Sequence, residues 1–407
     1  MHFLFAWRYF KAKKSTNVIN IIAWVCITAI VVGTAALIVV LSVFNGFEGL
    51  VKSLYASFYT DLRVSPASGK FMVLTQEQIN QLHGINGIKN FSLVVEEKGI
   101  LQNGDNQKLA YLKGVDSNYR YAAGVVNCIY DGKYDIGTAE SPKLILGAGI
   151  AASLGSNASL TDYPLMIYVP RKSDSEMFDE VNNITSDSIH LAASFLIQQD
   201  FDDKYAITNI DFLRAAMSLP DDNYSGLEIA VSNPAQTEKI KKQLQTLLGA
   251  SYKVQNRYEQ NQSLYSIMNM ERWVFYAILC LILVVAAFNM VGALTMLVLE
   301  KRKDISVLHA LGADSRFIQR VFLNEGFLLA IIGGGIGMFI ALGMVLLQQR
   351  FHLISLQGGS FVVDYFPVTL RVTDFILVGV TVLVIAFVAS YVPARKASRQ
   401  DFSLRSE

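Results

Sequence analysis

Four apolar runs dominate the pattern of this chain. They cover residues 19–44, 273–299, 322–347 and 375–392. Crossing the hydrocarbon core of a bilayer takes about 20 consecutive apolar residues in a helix. Buried helices of water-soluble proteins seldom run so far without a charge. The pattern therefore predicts four membrane-spanning helices. Glu325 falls near the start of the third and reads either as a functional ion or, from its place near the interface, as a paired or snorkelling structural acid. The first run begins too far in, and is too long, for a secretory signal, so it reads as a retained span.

Between the first two runs, residues 45–272 are polar and mixed. The stretches "TDLRVSPAS", "FSLVVEEKGILQ" and "QKLAYLKGVD" alternate or are β-rich, with turn residues between them, and predict strands. "TQEQINQLHGI" starts at Thr75 with Gln78 three residues on, the spacing of a capping box. "SGLEIAVSNPAQTEKIKKQLQTLLGASYKVQNRY" reads strand, helix, strand, with Ile240, Leu244, Leu247 and Leu248 on one stripe of the helix. Residues 59–116 and 226–258 then make two αβ halves of one unit. Residues 117–225 make a mostly β insertion, with "LMIYVPRK" and "SFLIQQDFDDKYAITNIDFLRAAM" as its strongest elements. Phe47, Leu50, Leu54 and Phe58 recur at helical spacing, as do Leu264, Ile267 and Met268. They predict amphipathic stalks leading to and from the spans or, equally on periodicity alone, helices packed on the domain. The predicted fold class is an α-helical membrane protein with four transmembrane helices plus a large mixed α+β extracytoplasmic domain between helices 1 and 2.

Charge placement supplies an orientation. Arg8, Lys11, Lys13 and Lys14 precede the first run, and Lys301, Arg302, Lys303, Arg316 and Arg320 lie between the second and third. Arg395, Lys396, Arg399 and Arg405 follow the fourth, whereas the loop 348–374 holds only Arg350 and Arg371. Short cytoplasmic loops carry the excess of Lys and Arg. Residues 1–18, 300–321 and 393–407 are thus expected in the cytoplasm, and 45–272 and 348–374 outside. Charged residues make up 17% of the chain, below the roughly 25% of soluble domains. A net charge of +1 gives no basic field for nucleic acid. Cys26, Cys128 and Cys280 show no metal-ligand spacing, and the five histidines are scattered, so neither a metal site nor a disulfide framework is expected.

The sequence contains no GxxxxGK[ST] phosphate loop and no HExxH or GxSxG motif. An enzymatic role is not expected, and if ATP drives this protein, a separate chain must bind it. The segment "VLEKRKDISVLHALGADSRFIQRVFLNEG" carries more information. Lys301, Arg302, Lys303 and Asp304 cluster at the membrane edge, Ile305, Leu308 and Leu311 sit near one face, and Gly312 breaks the pattern. Such a helix either fits a groove on a cytoplasmic partner or lies passively among the headgroups. In the third span, "GGGIGMFIALG" predicts close helix packing against an unspecified neighbour. Arg171–Asp187 is charged and polar, either a plain solvated connection or a docking loop for an outside partner.

Several of these stretches resemble the lipoprotein-releasing permeases of the LolC/LolE type, within the FtsX-like (type VII) ABC permeases. The resemblance is carried by "MERWVFYAILCLILVVAAFNMVGALTMLVLEKRKDISVLHALGADSRFIQRVFLNEG", "GTAALIVVLSVFNGFEGLV", "FDDKYAITNIDFLRAAM" and the ending "YVPARKASRQDFSLRSE", in order along nearly the whole chain. Two regions depart from the family. "YTDLRVSPASGK" stands where a Pro-His pair is common. Tyr168–Ser188 has Pro170 but no proline cluster where one paralogue carries a hook for its periplasmic chaperone.

The resemblance implies a multi-pass protein of the bacterial inner membrane with both termini cytoplasmic. It implies a cytoplasmic ABC ATPase dimer, with ATP and Mg on that partner and no cofactor on this chain. A second permease subunit, identical or paralogous, an acylated lipoprotein substrate, membrane lipid and a periplasmic lipoprotein carrier complete the expected partners. ATPase coupling would fall to Glu300, Lys301, Arg302, Asp304, Ile305, Leu308, Leu311 and Gly312. A substrate groove would be lined by Val43, Phe44, Phe47, Leu50, Leu264 and Ile267, and Arg171, Lys172, Asp174 and Glu176 would form a carrier-docking loop. ATP-driven closure would push the first two spans together through the stalks and squeeze the lipoprotein outward. The alternatives are a macrolide- or peptide-type efflux permease with a periplasmic adaptor, and an FtsX-like signalling permease that controls a cell-wall hydrolase.

Overall fold

The computed structural model describes residues 17–159, 163–171, 184–355 and 365–398. These fall into two compact units. One holds the described residues up to Leu50, from Ser266 to Ser355 and from Tyr365 onward, and the other runs from Val51 to Tyr265.

The first unit is helical. Four helices, Asn17–Phe58, Gln262–Glu300, Ser315–Phe351 and Val372–Ser398, are long and apolar enough to cross a membrane. They are called spans one to four below, although span one continues into the second unit from Val51. A short helix, Arg302–Ala310, follows span two. Small residues set the packing, because a missing side chain lets helix backbones approach in a medium that gives no hydrophobic drive between them. A Cβ on Gly337 would lie 2.6 Å from the Val31 carbonyl oxygen, and one on Gly333 3.2 Å from that of Ile27. The glycine run of span three therefore has span one as its neighbour on that face. Gly335 and Gly343 of the same run face open space.

Among its described residues the second unit has twelve strands. They are β1 (Leu62–Pro66), β2 (Met72–Val73), β3 (Ile88–Asn103), β4 (Asn106–Val115), β5 (Ile129–Gly132) and β6 (Lys143–Gly147). The rest are β7 (Leu165–Pro170), β8 (Ile184–Phe195), β9 (Tyr205–Asn209), β10 (Asn223–Tyr224), β11 (Gly226–Val231) and β12 (Tyr252–Asn256). Strand β3, 16 residues long, belongs to two arrangements. Its first half extends an antiparallel sheet in the order β12–β1–β11–β3. Its second half joins a ring in which β3, β4, β9, β6, β8 and β7 pair in turn and β7 returns to β3, with β4–β9 and β6–β8 parallel. Where β7 crosses onto β3, Gly99 leaves room for the Tyr168 carbonyl, which a Cβ would meet at 2.7 Å.

Helix Gln76–His83 starts on a complete capping box from Thr75 and Gln78. Helix Thr237–Leu248 buries Ile240, Leu244 and Leu248 in the same core as Leu62, Leu227 and Ile229. A second core gathers Tyr55 and Phe58 with Val115, Tyr119, Phe195 and Phe201, and Leu264 packs against it.

Candidate functional site

The short helix between spans two and three is bounded by its own backbone chemistry. Lys301 alone separates it from span two. At its far end Gly312 takes φ 89°, the left-handed conformation that glycine adopts without strain. There Gly312 N–H donates to the His309 carbonyl and Ala313 N–H to that of Leu308, both at 3.0 Å, which ends the helix. Asp314 then caps the next helix, accepting from Phe317 N–H at 2.8 Å.

The helix presents two faces. Ile305 is 4% exposed and packs with Val298, Ile318, Phe322 and Ala394 of its own unit. Val307 at 58% and Leu311 at 79% point away from that cluster, and Leu308 is half-buried between them. Thus Ile305, Leu308 and Leu311 do not form a single outward face. Steps of three residues turn about 300° each, so two steps leave Leu311 well away from Ile305, whereas Val307 and Leu311 are one turn apart. That i, i+4 relation was the signal that marks Val307. Lys301 pairs with Asp304 at 3.1 Å, Arg302 and Gly312 are exposed, and Glu300 is half-buried.

The groove candidates separate in the structure. Phe44 meets Phe275 of span two, with ring centroids 4.9 Å apart. Phe47 instead packs edge-on against Phe366 at 5.7 Å. Val43, with Val39, lines an apolar cleft of about 420 Å³ whose other walls are Val345 and Gln348 of span three and Ile354 and Phe366 of the following loop. Leu50 is half-buried, Ile267 is exposed, and Leu264 belongs to the core of the second unit.

Charge is concentrated near the same end of the helical unit, a feature that periodicity did not single out. Asp374, 2% exposed, receives Arg272 Nη2 at 2.6 Å on one oxygen and Asn45 Nδ2 at 2.5 Å on the other. Arg371 pairs with Glu48 at 3.1 Å.

In the second unit, Arg171 Nε donates to Thr185 Oγ1 at 2.7 Å, and that hydroxyl donates to the Ala216 carbonyl at 2.8 Å. The other docking-loop candidates, Lys172, Asp174 and Glu176, lie outside the described residues. A four-charge group stands on the sheet, with Lys113 and Glu228 buried and Arg63 and Glu96 half-buried. Lys113 Nζ contacts Glu228 at 2.5 Å and Glu96 at 3.5 Å, while Arg63 contacts Glu96 at 2.6 Å. Burial alone would push the Glu96 carboxyl up, but Arg63 and Lys113 hold it down at about 2. Among the described residues no cluster of three or more His, Cys, Asp or Glu is placed to hold a metal ion.

A sequence model of the FtsX-like permease C-terminal region matches residues 276–402, and one of the MacB-like periplasmic core domain matches residues 23–167. The chain is thus similar to FtsX-like permeases in its C-terminal helical part and to the MacB-like core domain nearer its start. Along its length the chain is related to the LolC/LolE transmembrane proteins of lipoprotein-releasing systems. It is 25% identical to the LolE protein of Haemophilus influenzae, covering 98% of this chain and 97% of that protein. It is 24% identical to a LolC protein of Xylella fastidiosa, covering 96% and 95% respectively. The solved periplasmic region of MacB from Actinobacillus actinomycetemcomitans overlaps 53% of this chain and 98% of its own, at 11% identity and a TM-score of 0.36.

Proposed function

We propose that this chain is the membrane subunit of an ATP-driven transporter that frees acylated lipoproteins from the outer leaflet of the bacterial inner membrane and passes them to a periplasmic carrier. The observation that carries this reading is the end-to-end relation to lipoprotein-releasing transmembrane proteins, over 98% of this chain and 97% of a relative. ATP and Mg then belong to a partner ATPase dimer, in keeping with a sequence that carries no GxxxxGK[ST] loop. In this reading the short helix offers Val307 and Leu311 to the ATPase, with Arg302 and Gly312 exposed beside them. The unit Val51–Tyr265 faces the periplasm, and both termini and the short helix face the cytoplasm. A second permease subunit completes the complex, and the polar sequence that begins at Arg171 meets the carrier. Acyl chains favour hydrocarbon by about 0.8 kcal/mol per CH₂, so extraction needs both an energy source and a receiving partner.

The test is reconstitution. The chain, its co-purified ATPase and any second permease are placed in proteoliposomes with a labelled triacylated lipoprotein and a soluble carrier. Transfer to the carrier that requires ATP supports the proposal. ATP turnover with no transfer under conditions that release the lipoprotein from a known system rejects it in favour of efflux or signalling.

A further inference from the structure

The four long helices are not held alike. Spans one and three meet at backbone level through Gly333 and Gly337. Spans three and four interlock where Gly326 leaves space for Ser390, and where Met338 approaches Gly379 at 3.2 Å of an added Cβ. Near Asn45, residues 365–371 strap the same three helices. Gly46 admits the Pro367 backbone, Thr369 N–H donates to the Ser42 carbonyl at 2.9 Å, and Arg371 pairs with Glu48. From span three, Gln348 donates to the Ile354 and Phe366 carbonyls at 3.1 and 3.2 Å.

Span two is attached differently. Among the described residues it meets its neighbours through Leu283 over Gly33, Phe275 on Phe44 and the Tyr276 hydroxyl on Thr381, and toward the short helix it buries Met290, Leu294, Leu297 and Val298, with Leu294 3.4 Å from a Cβ on Gly326. Its most apolar stretch is 17% buried, against 44% for spans one and three and 28% for span four. Its charged tie is Arg272 to Asp374, and breaking that pair would leave a buried carboxylate without its cation. The short helix joins span two through Lys301 alone, whereas its link to span three passes through the break at Gly312.

We propose that spans one, three and four form a fixed frame, that span two is the helix that shifts against it, and that Arg272–Asp374 is the clasp that seats span two on the frame. This rests on the reading of the chain as an ATP-driven permease. Asp374 and Arg272 are then positioning residues that fix one register of span two in each cycle.

The experiment uses the full chain in complex with its ATPase, reconstituted in lipid. Spin labels are placed on exposed positions, Leu281 with Val384 for span two against span four, and Val32 with Phe339 for span one against span three. On ATP binding the first distance is expected to change by about 2 Å or more, the size of helix shifts in switching proteins, and the second to hold. Equal changes in both pairs, or no change in the first, overturn the proposal. In parallel, Arg272→Gln is expected to lower lipoprotein released per ATP at least about tenfold, and Arg272→Lys to restore most of it. Unchanged release by Arg272→Gln overturns the clasp, as does a loss that Arg272→Lys shares in full together with loss of the assembled complex. A wild-type complex that releases no lipoprotein while the Leu281–Val384 distance still answers to ATP would reject the transport reading and leave this inference standing.

Discussion

Lys113 Nζ lies 2.5 Å from Glu228 Oε1, and both side chains are sealed from solvent. The ammonium also sits over the rings of Phe58 and Tyr119, at 4.8 and 5.0 Å from their centroids. The pair therefore ties β4 to β11 directly beneath the last residue of the helix that continues from span one. Removing Lys113 leaves Glu228 and Glu96 to share Arg63, 3.6 and 2.6 Å away, so one carboxylate charge in the group is uncompensated, which costs about 3–5 kcal/mol at most. Lys113→Met should lower the unfolding temperature of the Val51–Tyr265 unit and expose it to protease. The double change Lys113→Met with Glu228→Met should recover most of that loss, because no lone charge remains. Equal stability of the single and double variants would show that Glu228 left without Lys113 carries no penalty.

A pH dependence follows from two acids of the same unit with opposite shifts. Burial raises the Asp202 carboxyl to about 6, against the N–H groups of Ile197 and Gln198 that pull it down. An unfolded Asp titrates near about 3.9. Between about pH 4 and 6 the folded state thus holds a proton that the unfolded chain has released, and stability falls as pH rises through that window. Glu96, held at about 2, acts the other way: its contribution is present above about 4.3 and is lost as pH falls toward 2. Asp202→Asn should flatten the unfolding temperature between pH 4 and 6 and leave the acid limb intact. A slope in that window that survives Asp202→Asn would assign it to another group.

Orientation is open to labelling. Ser68 and Ser306 are both exposed within their own units. A cysteine at position 68 should react with an impermeant thiol reagent on intact spheroplasts. One at position 306 should react only after permeabilisation. Reaction at position 306 in intact spheroplasts would reverse the topology and remove the short helix from reach of a cytoplasmic ATPase.

The sequence was most legible where one local rule acts alone. Twenty apolar residues leave a helix little choice in lipid, and all four long helices contain the predicted runs. Thr75 and Gln78 form their capping box from residues three apart, and the 240–248 stripe is buried at Ile240, Leu244 and Leu248. What escaped depends on partners distant in the chain. Nothing near Asp374 announces that Asn45 and Arg272, 329 and 102 residues away, will hold its two oxygens. The ring of strands closed by β7 returning to β3 was equally invisible, because strand periodicity fixes which face is buried and not which strand pairs with which. In the short helix, Ile305 is buried, Leu308 half-buried and Leu311 exposed, so the three do not share one face. A three-residue spacing was followed through two steps, beyond the point at which it stays on one side of a helix.

The two faces of that helix give the sharpest prediction. Ile305 is inside the cluster of Val298, Ile318, Phe322 and Ala394, whereas Val307 and Leu311 are exposed one turn apart. If an ATPase groove covers the exposed face, each of those side chains gains about 1.5–3 kcal/mol on burial. Leu311→Asp removes that gain and adds the desolvation of a carboxylate. At about 1.4 kcal/mol per tenfold, the partner's affinity should fall at least about a hundredfold. Val307→Asp should act alike. Ile305→Asp should behave differently, since it places the charge within the bundle and should destabilise the helical unit before any effect on the ATPase is seen. Co-purification of the ATPase with each variant, beside its thermal stability in detergent, separates the cases. Loss of the ATPase from a stable Leu311→Asp protein identifies the outward face as the docking surface. Full recovery of the ATPase with both Val307→Asp and Leu311→Asp would mean that the helix rests in the headgroups and that coupling enters the chain elsewhere.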